Sequence, residues 1–307
     1  MISYNNQVGE KMKILIMGGT LFFGKRLVAR AVEAGWEVVV ATRGRTRLAD
    51  LPPDVEHVQV DRHDAQAMTA AFANRSFDVV FDQVGYSPDD ARLACEVFAG
   101  NIGRYVFTSS AAVYAPQMLP IKENTFDPRE LPLPYGGKDD FTYADGKRYA
   151  EAVFFQQATF PVAAVRFPIV IGEDDYTGRF RFHVERVQRQ EPIGIPGQAA
   201  KMSFISADQA GAFLHWLAAA DLRGPVNAAS HTPLSVIEML DMIAGIVGKA
   251  PVITRSEDVS VRSPYYTSEN RALNLVRAYR HGYRFPKIKE WLPEMIENVA
   301  AREGDSK

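Results

Sequence analysis

From Met12 to Val40 the hydrophobic pattern changes period twice. Lys13 to Met17 is a short, mostly apolar run without polar alternation, the signature of a parallel strand covered on both faces. Gly18 and Gly19 end it, and from Gly24 to Ala34 the apolar residues Leu27, Val28, Ala31 and Val32 recur at helical spacing opposite Lys25, Arg26, Arg30 and Glu33. Gly35 closes that helix, and Val38 to Val40 is the next buried strand. The alternation continues: strand His57 to Val60, helix Ala65 to Ala73, strand Val79 to Val84, helix Ala91 to Phe98, strand Tyr105 to Ser110. Strands and helices in this order give a parallel sheet with right-handed crossovers and ligands at the carboxyl ends of the strands. The expected fold is α/β, a Rossmann-type doubly wound parallel sheet with a smaller C-terminal substrate lobe. The nucleotide-binding domain is expected over 12–172, with 204–230 returning to it, and the small lobe over 173–203 and 231–307. Residues 1–11 read as a polar, disordered leader.

Past Gly172 the pattern predicts a polar turn at Glu173 to Arg179 and a helix from Phe180 to Arg189. A proline- and glycine-rich connector follows at Pro192 to Gly197. A helix from Asp208 to Ala218 and a strand at Val226 to Ala228 lead to helices at Ser235 to Val247 and Leu292 to Ala301. Arg262, Tyr265 and Tyr266 are candidate pocket lining, with packing between the lobes as the equal alternative.

Composition narrows the function. At 307 residues and 47% hydrophobic content the chain can bury a large core. A net charge of −2 offers no overall basic surface, so no nucleic-acid partner is expected. Cys95 is the single cysteine, which excludes a disulfide framework or thiolate metal site and suits a reducing, cytoplasmic location. The six histidines show no paired ligand spacing, so no metal is expected. No apolar run is long enough to span a membrane.

The candidate chemistry lies at the strand ends. The turn Gly18-Gly19-Thr20-Leu21-Phe22-Phe23-Gly24 keeps the first and last glycines of a dinucleotide fingerprint, with Leu21 at the middle one. Such a turn aims backbone N–H groups and the helix's partial positive charge at one point, where a dinucleotide pyrophosphate fits. A carboxylate after the second strand would grip the ribose hydroxyls of NAD, whereas this chain has Thr42 followed by Arg43 and Arg45. Guanidinium groups suit a 2′-phosphate, so NADP is the expected cofactor, with NAD as the alternative. Asp61 is placed to accept from an adenine amino group, and its neighbour Arg62 joins the candidate contacts. Val84 begins the segment that passes beneath the cofactor. Tyr143 and Lys147, four apart on one helix, share a face. An ammonium group one turn from a phenol favours the phenolate and brings its pKa from about 10 toward neutrality. Tyr143 is then the expected proton-exchanging group, Lys147 its partner and a ribose contact, and Ser110 the group that orients the reacting oxygen.

Taken together, Gly18 to Gly24, Thr108-Ser109-Ser110-Ala111-Ala112-Val113-Tyr114, Tyr143-x-x-x-Lys147 and Arg166-Phe167-Pro168-Ile169-Val170-Ile171-Gly172 resemble the extended short-chain dehydrogenase/reductase superfamily. The resemblance is to its NAD-dependent epimerase/dehydratase group, in the atypical branch similar to chloroplast stem-loop-binding and isoflavone-reductase-like proteins. It implies an oxidoreductase or epimerase acting on a hydroxyl or carbonyl of a small-molecule substrate, adds Phe167 and Ile169 to the cofactor contacts, and admits a homodimer. It also admits a nucleotide-sugar epimerase, or a non-catalytic cofactor- or RNA-binding protein on the same fold. Relatives that dehydrate carry Asp-Glu where this chain has Ala111 and Ala112, which argues against dehydration.

Overall fold

The computed structural model describes residues 11–45, 51–118 and 120–302; nearly all of the expected leader lies outside them. The chain divides into two compact units, one of residues 1–113, 127–166 and 211–226 and the other of 114–126, 167–210 and 227–307.

The first unit is built on a sheet. Its strands are β1 (Lys13–Met17), β2 (Glu37–Thr42), β3 (Glu56–Gln59), β4 (Phe77–Asp82), β5 (Ile102–Ser110), β6 (Val162–Phe167) and β10 (Gly224–Asn227), in the spatial order β10-β6-β5-β4-β1-β2-β3. Pairing is parallel from β3 through β2, β1 and β4 to β5. The order reverses beside β1, the place where open α/β sheets bind ligands. The helices α1 (Phe22–Glu33), α2 (Ala65–Phe72), α3 (Pro88–Val97) and α4 (Tyr143–Gln157) follow their strands as the apolar spacing predicts. On one face Leu15, Val39, Val80, Tyr105 and Phe107 meet Phe72, Ala94, Val153 and Phe154 in a single buried cluster. Truncating a phenylalanine such as Phe154 there would cost about 3–5 kcal/mol.

The second unit holds β7 (Ile169–Ile171) parallel to β9 (Phe204–Ser206), and α5 (Arg179–Arg189) packed on α7 (Val236–Val247) and α9 (Leu292–Arg302). Phe180, Val184, Val187, Leu240, Ile243 and Ile296 form the core between these helices. The helix α6 (Ala207–Ala219) begins in the second unit and continues in the first, and α8 (Val276–Arg280) is a single short turn. The expected connector differs: Pro192–Gly194 is a strand, β8, parallel to β11 (Val252–Thr254). Proline heads that strand, where its missing N–H removes little from the ladder. Among the described residues no helix is long and apolar enough to cross a membrane.

Candidate functional site

The site is assembled from the carboxyl ends of β1, β4 and β5 and the first turns of α1 and α4. At β1 the backbone turns through Gly18 and Gly19 with φ of +102° and +86°, conformations that side chains rarely adopt. A Cβ on Gly24 would stand 2.8 Å from the Gly19 Cα, so the helix reaches the strand only because both are glycine. Phe22, the first residue of α1, also has positive φ, at +51°, a strained conformation for an aromatic residue and of a kind that clusters at functional sites. Leu21 is exposed at the N-cap and makes no side-chain capping bond, Thr20 and Phe22 are buried, Phe23 is half-buried, and no acidic residue occupies the first turn. A narrow turn under an amino terminus that no carboxylate neutralises fits the diphosphate of a dinucleotide.

The end of β2 is equally open to an anion. Thr42 Oγ1 lies 2.9 Å from His57 Nε2 and accepts from the Gly44 amide, which shapes the loop carrying Arg43 and Arg45 into solvent. Asp61 is half-buried and receives the His63 amide at 3.1 Å.

Arg62 differs from a cofactor contact in its side chain, which turns inward. Its guanidinium donates to Asp82 Oδ1 at 2.7 Å and to the Asp90 carbonyl at 3.2 Å, and its Nε stands 3.3 Å from Asp90 Oδ1. Two carboxylates 20 and 28 residues further on claim the cation, and such partners are invisible to a reading of neighbouring residues. Asp82 also accepts from the Tyr105 hydroxyl at 2.8 Å and the Val84 amide at 2.9 Å. Burial works against its charge, yet Arg62 and these hydrogen bonds hold its carboxyl below the usual range. Asp90 caps α3 reciprocally with Ser87 and receives the Tyr86 amide at 2.8 Å. The turn Val84 to Ser87 is therefore pinned at both ends by buried carboxylates.

That turn holds the lysine. Thr142 caps α4 by accepting from the Asp145 amide at 3.1 Å, which makes Tyr143 the first helical residue and places Lys147 one turn deeper. Gly146 lets the helix approach, since any Cβ there would collide with the Tyr86 carbonyl. Lys147 is 2% exposed and donates to the Gly85 carbonyl at 2.6 Å and the Thr108 carbonyl at 2.7 Å. An ammonium has three donors, and these two carbonyls are its hydrogen-bond partners among the described residues. Its nitrogen stands 4.5 Å from the Tyr86 ring centre and 6.0 Å from that of Tyr143. Burial pulls its pKa down to about 8, with Asp82, Asp90 and Glu151 resisting the fall and Arg62 adding to it. Tyr143 is 55% exposed, its ring 6.4 Å from that of Tyr86.

Ser110 closes β5, half-buried, its Oγ accepting from the Ala112 amide at 3.1 Å, which leaves the hydroxyl proton to donate elsewhere. Behind it Glu151, a further turn along α4, pairs with Arg166 in full burial and accepts from the Ser109 hydroxyl. This bidentate pair ties α4 to β5 and β6. Motif reading passed over Glu151, although it continues the four-residue spacing of Tyr143 and Lys147. Phe167 ends β6 and Ile169 opens β7, both counted with the second unit.

In the second unit, Tyr265 is not pocket lining: it is 1% exposed and stacked on His183 with ring centres 4.7 Å apart. The His183 ring lies 2.8 Å from the Arg179 carbonyl and 2.7 Å from the Ser263 hydroxyl, and burial pushes its pKa down to about 4. Cys95 has its thiol pushed up by burial to about 12. No cluster of metal-ligating side chains occurs among the described residues.

Comparison with known proteins fits this geometry. The model of the NAD dependent epimerase/dehydratase family matches residues 14–229. The chloroplast stem-loop binding protein of 41 kDa b of Arabidopsis thaliana is 27% identical over 230 residues, 70% of this chain and 57% of that protein. The chain thus spans little more than half the length of that relative. Among solved structures, the UDP-glucose 4-epimerase of Thermus thermophilus in complex with NAD is 21% identical, covers 94% of this chain and 99% of its own, and superimposes with a TM-score of 0.71. The Bordetella bronchiseptica enzyme WbmG in complex with NAD and UDP is 17% identical over 98% and 96% of the two chains, with a TM-score of 0.75. These two likenesses establish the fold.

Proposed function

The chain belongs to the NAD-dependent epimerase/dehydratase family, and from that premise we propose that it is a nicotinamide-dependent enzyme interconverting a hydroxyl and a carbonyl on a small molecule, through Ser110, Tyr143 and Lys147, with NADP preferred to NAD. The observation that carries the reading is Lys147, a buried cation fixed by two carbonyls beside the Tyr86 and Tyr143 rings.

The turn from Gly18 to Gly24 would hold the pyrophosphate, Asp61 the adenine, Arg43 and Arg45 a 2′-phosphate, and Val84 the nicotinamide half, with Lys147 donating to its ribose. When bound, the nicotinamide supplies a reversible two-electron couple. Tyr143, exposed at the mouth of the sheet, gives a proton to the substrate oxygen or takes one from it. Lys147 stays largely cationic at neutral pH and lowers the cost of the phenolate. Ser110 donates to the same oxygen and fixes its direction. Ala111 and Ala112 offer no acid or base for eliminating water. The sheet unit would seat the cofactor, and 173–203 with 231–307 would supply the substrate lobe. The nearby solved enzymes, a UDP-glucose 4-epimerase and one complexed with UDP, make nucleotide sugars the first substrates to screen.

A second reading, a stem-loop RNA-binding protein on this fold, draws on the Arabidopsis relative's name and on Arg271 to Lys289, which holds six lysines and arginines and no acidic residue.

Fluorescence titration of NADPH and NADH tests the proposal. Saturable binding with NADPH the tighter is expected, and replacing Arg43 and Arg45 by alanine should weaken NADPH about tenfold or more with little change for NADH. Absence of saturable binding by either coenzyme overturns the enzyme reading, and equal losses overturn the NADP preference.

A further inference from the structure

Lys147 is anchored by carbonyls, yet a cluster of charge lies beneath the turn that supplies one of them. Gly85, whose carbonyl accepts from the Lys147 ammonium, rests directly on the pair of Arg62 and Asp82. A Cβ on Gly85 would stand 2.6 Å from Asp82 Oδ2 and 3.3 Å from Arg62 Nη1. One residue thus separates the ion pair from the ammonium. Both neighbours of that glycine are held by the same cluster. Asp82 Oδ1 accepts from the Val84 amide at 2.9 Å, and Asp90 Oδ2 accepts from the amides of Tyr86 at 2.8 Å and Ser87 at 3.1 Å. Fixing the amides on either side of Gly85 fixes the direction of its carbonyl.

Neutral acceptors can hold buried amides, as the Ser87 hydroxyl does for Asp90. Ions do so at a cost of several kcal/mol each in lost hydration. What they add is charge: one cation between two carboxylates leaves a net negative charge under the turn. The groups around Lys147 show what that charge meets. The Tyr86, Phe107 and Tyr143 rings lie 4.5, 4.8 and 6.0 Å from its nitrogen, and Glu151, on the same helix, is paired with Arg166. Asp82, Asp90 and Arg62 complete the set. Burial pulls the lysine toward its neutral form; Asp82, Asp90 and Glu151 oppose it, and Arg62 works with burial.

We propose that Asp82 and Asp90, held in place by Arg62, are positioning residues for the reaction at Tyr143: they fix the Gly85 carbonyl that seats Lys147 and keep the ammonium protonated beside the phenol. The assignment rests on the Ser110, Tyr143 and Lys147 reading above and names the groups that make its lysine a cation in a buried place. A neutral lysine could fill the same space but would no longer lower the cost of the phenolate.

The test is a pH titration of the full chain by NMR, with lysine labelled at Cε with carbon-13 and Lys147→Met identifying the Lys147 signal. Its midpoint in wild type is expected at about 8. Asp82→Asn keeps an acceptor for the Val84 amide and removes the charge, so the midpoint should fall by about one pH unit, and Asp90→Asn should lower it in the same direction. Asp89→Asn, which removes an exposed carboxylate from the same helix as Asp90, should leave it in place. An unchanged midpoint in Asp82→Asn overturns the assignment, as does an equal fall in Asp89→Asn. Should Asp82→Asn fail to fold, an unchanged midpoint in Asp90→Asn overturns it equally. Fluorescence titration of wild type with NADH and NADPH tests the underlying reading separately: if neither binds, the enzyme reading falls first and takes this assignment with it, whatever the lysine titration shows.

Discussion

The sheet unit and the stack around His183 in the second unit bury polarity in opposite ways. Below the strand ends of the sheet unit the enclosed groups are ionised: Arg62 between Asp82 and Asp90, Lys147 on two carbonyls, Glu151 against Arg166. In the second unit the stack of His183, Ser263 and Tyr265 is neutral, its histidine held uncharged by burial. Charge taken from water costs several kcal/mol per ion, so it persists where something besides packing needs it. A neutral stack asks only for matched donors and shapes. The contrast teaches where to look for chemistry: the ionised interior stands under Tyr143, whereas Tyr265 is sealed in a core.

The hardest test of that division is Tyr143→Phe. General acid–base groups contribute about 10²–10⁴-fold, so kcat should fall by that factor, while NADH affinity stays at the wild-type value because the ring is kept. Retained turnover would remove the reason for assigning chemistry to this end of the sheet. Next in size is Arg62→Leu, which strands Asp82 as an uncompensated buried carboxylate. Breaking one partner of a buried pair costs about 3–5 kcal/mol, and the double variant Arg62→Leu with Asp82→Leu should recover much of it in urea unfolding. A loss below about 1 kcal/mol in the single variant would mean that the pair does not pin the Val84 to Ser87 turn.

Much of the sheet unit was readable in advance because parallel strands covered on both faces leave continuous apolar runs, as in Lys13 to Met17, and because a cap such as Thr142 marks where α4 begins. Tyr143 and Lys147 were readable as a pair from their spacing. What holds Lys147 was not, since its partners are the carbonyl oxygens of Gly85 and Thr108, and backbone atoms carry no residue signature. Arg62 read as a cofactor contact from its place after Asp61, while its partners lie far along the chain. Pro192 to Gly197 read as a connector because proline and glycine usually punctuate loops, yet Pro192–Gly194 pairs with Val252–Thr254, joining segments 60 residues apart. Tyr265 read equally as pocket lining and as packing, since its local sequence does not separate the two. Its burial comes from His183 and Phe204, which no local pattern announces.

Tyr265→Phe carries the smallest effect and isolates what the neutral core needs. The Tyr265 hydroxyl is buried without a hydrogen-bond partner among the described residues, and burial pushes its pKa upward, so the group is a neutral phenol at any ordinary pH. The ring provides the contacts with His183 and Phe204, and phenylalanine keeps it. Removing an unmet hydroxyl while preserving shape is nearly neutral or stabilising, so urea unfolding should show a change between zero and a gain of about 1 kcal/mol. Turnover should be unchanged, in contrast to the same substitution at Tyr143. A loss of more than about 1 kcal/mol would show that the hydroxyl is satisfied after all and that the second unit, like the first, holds a polar group in place for a partner.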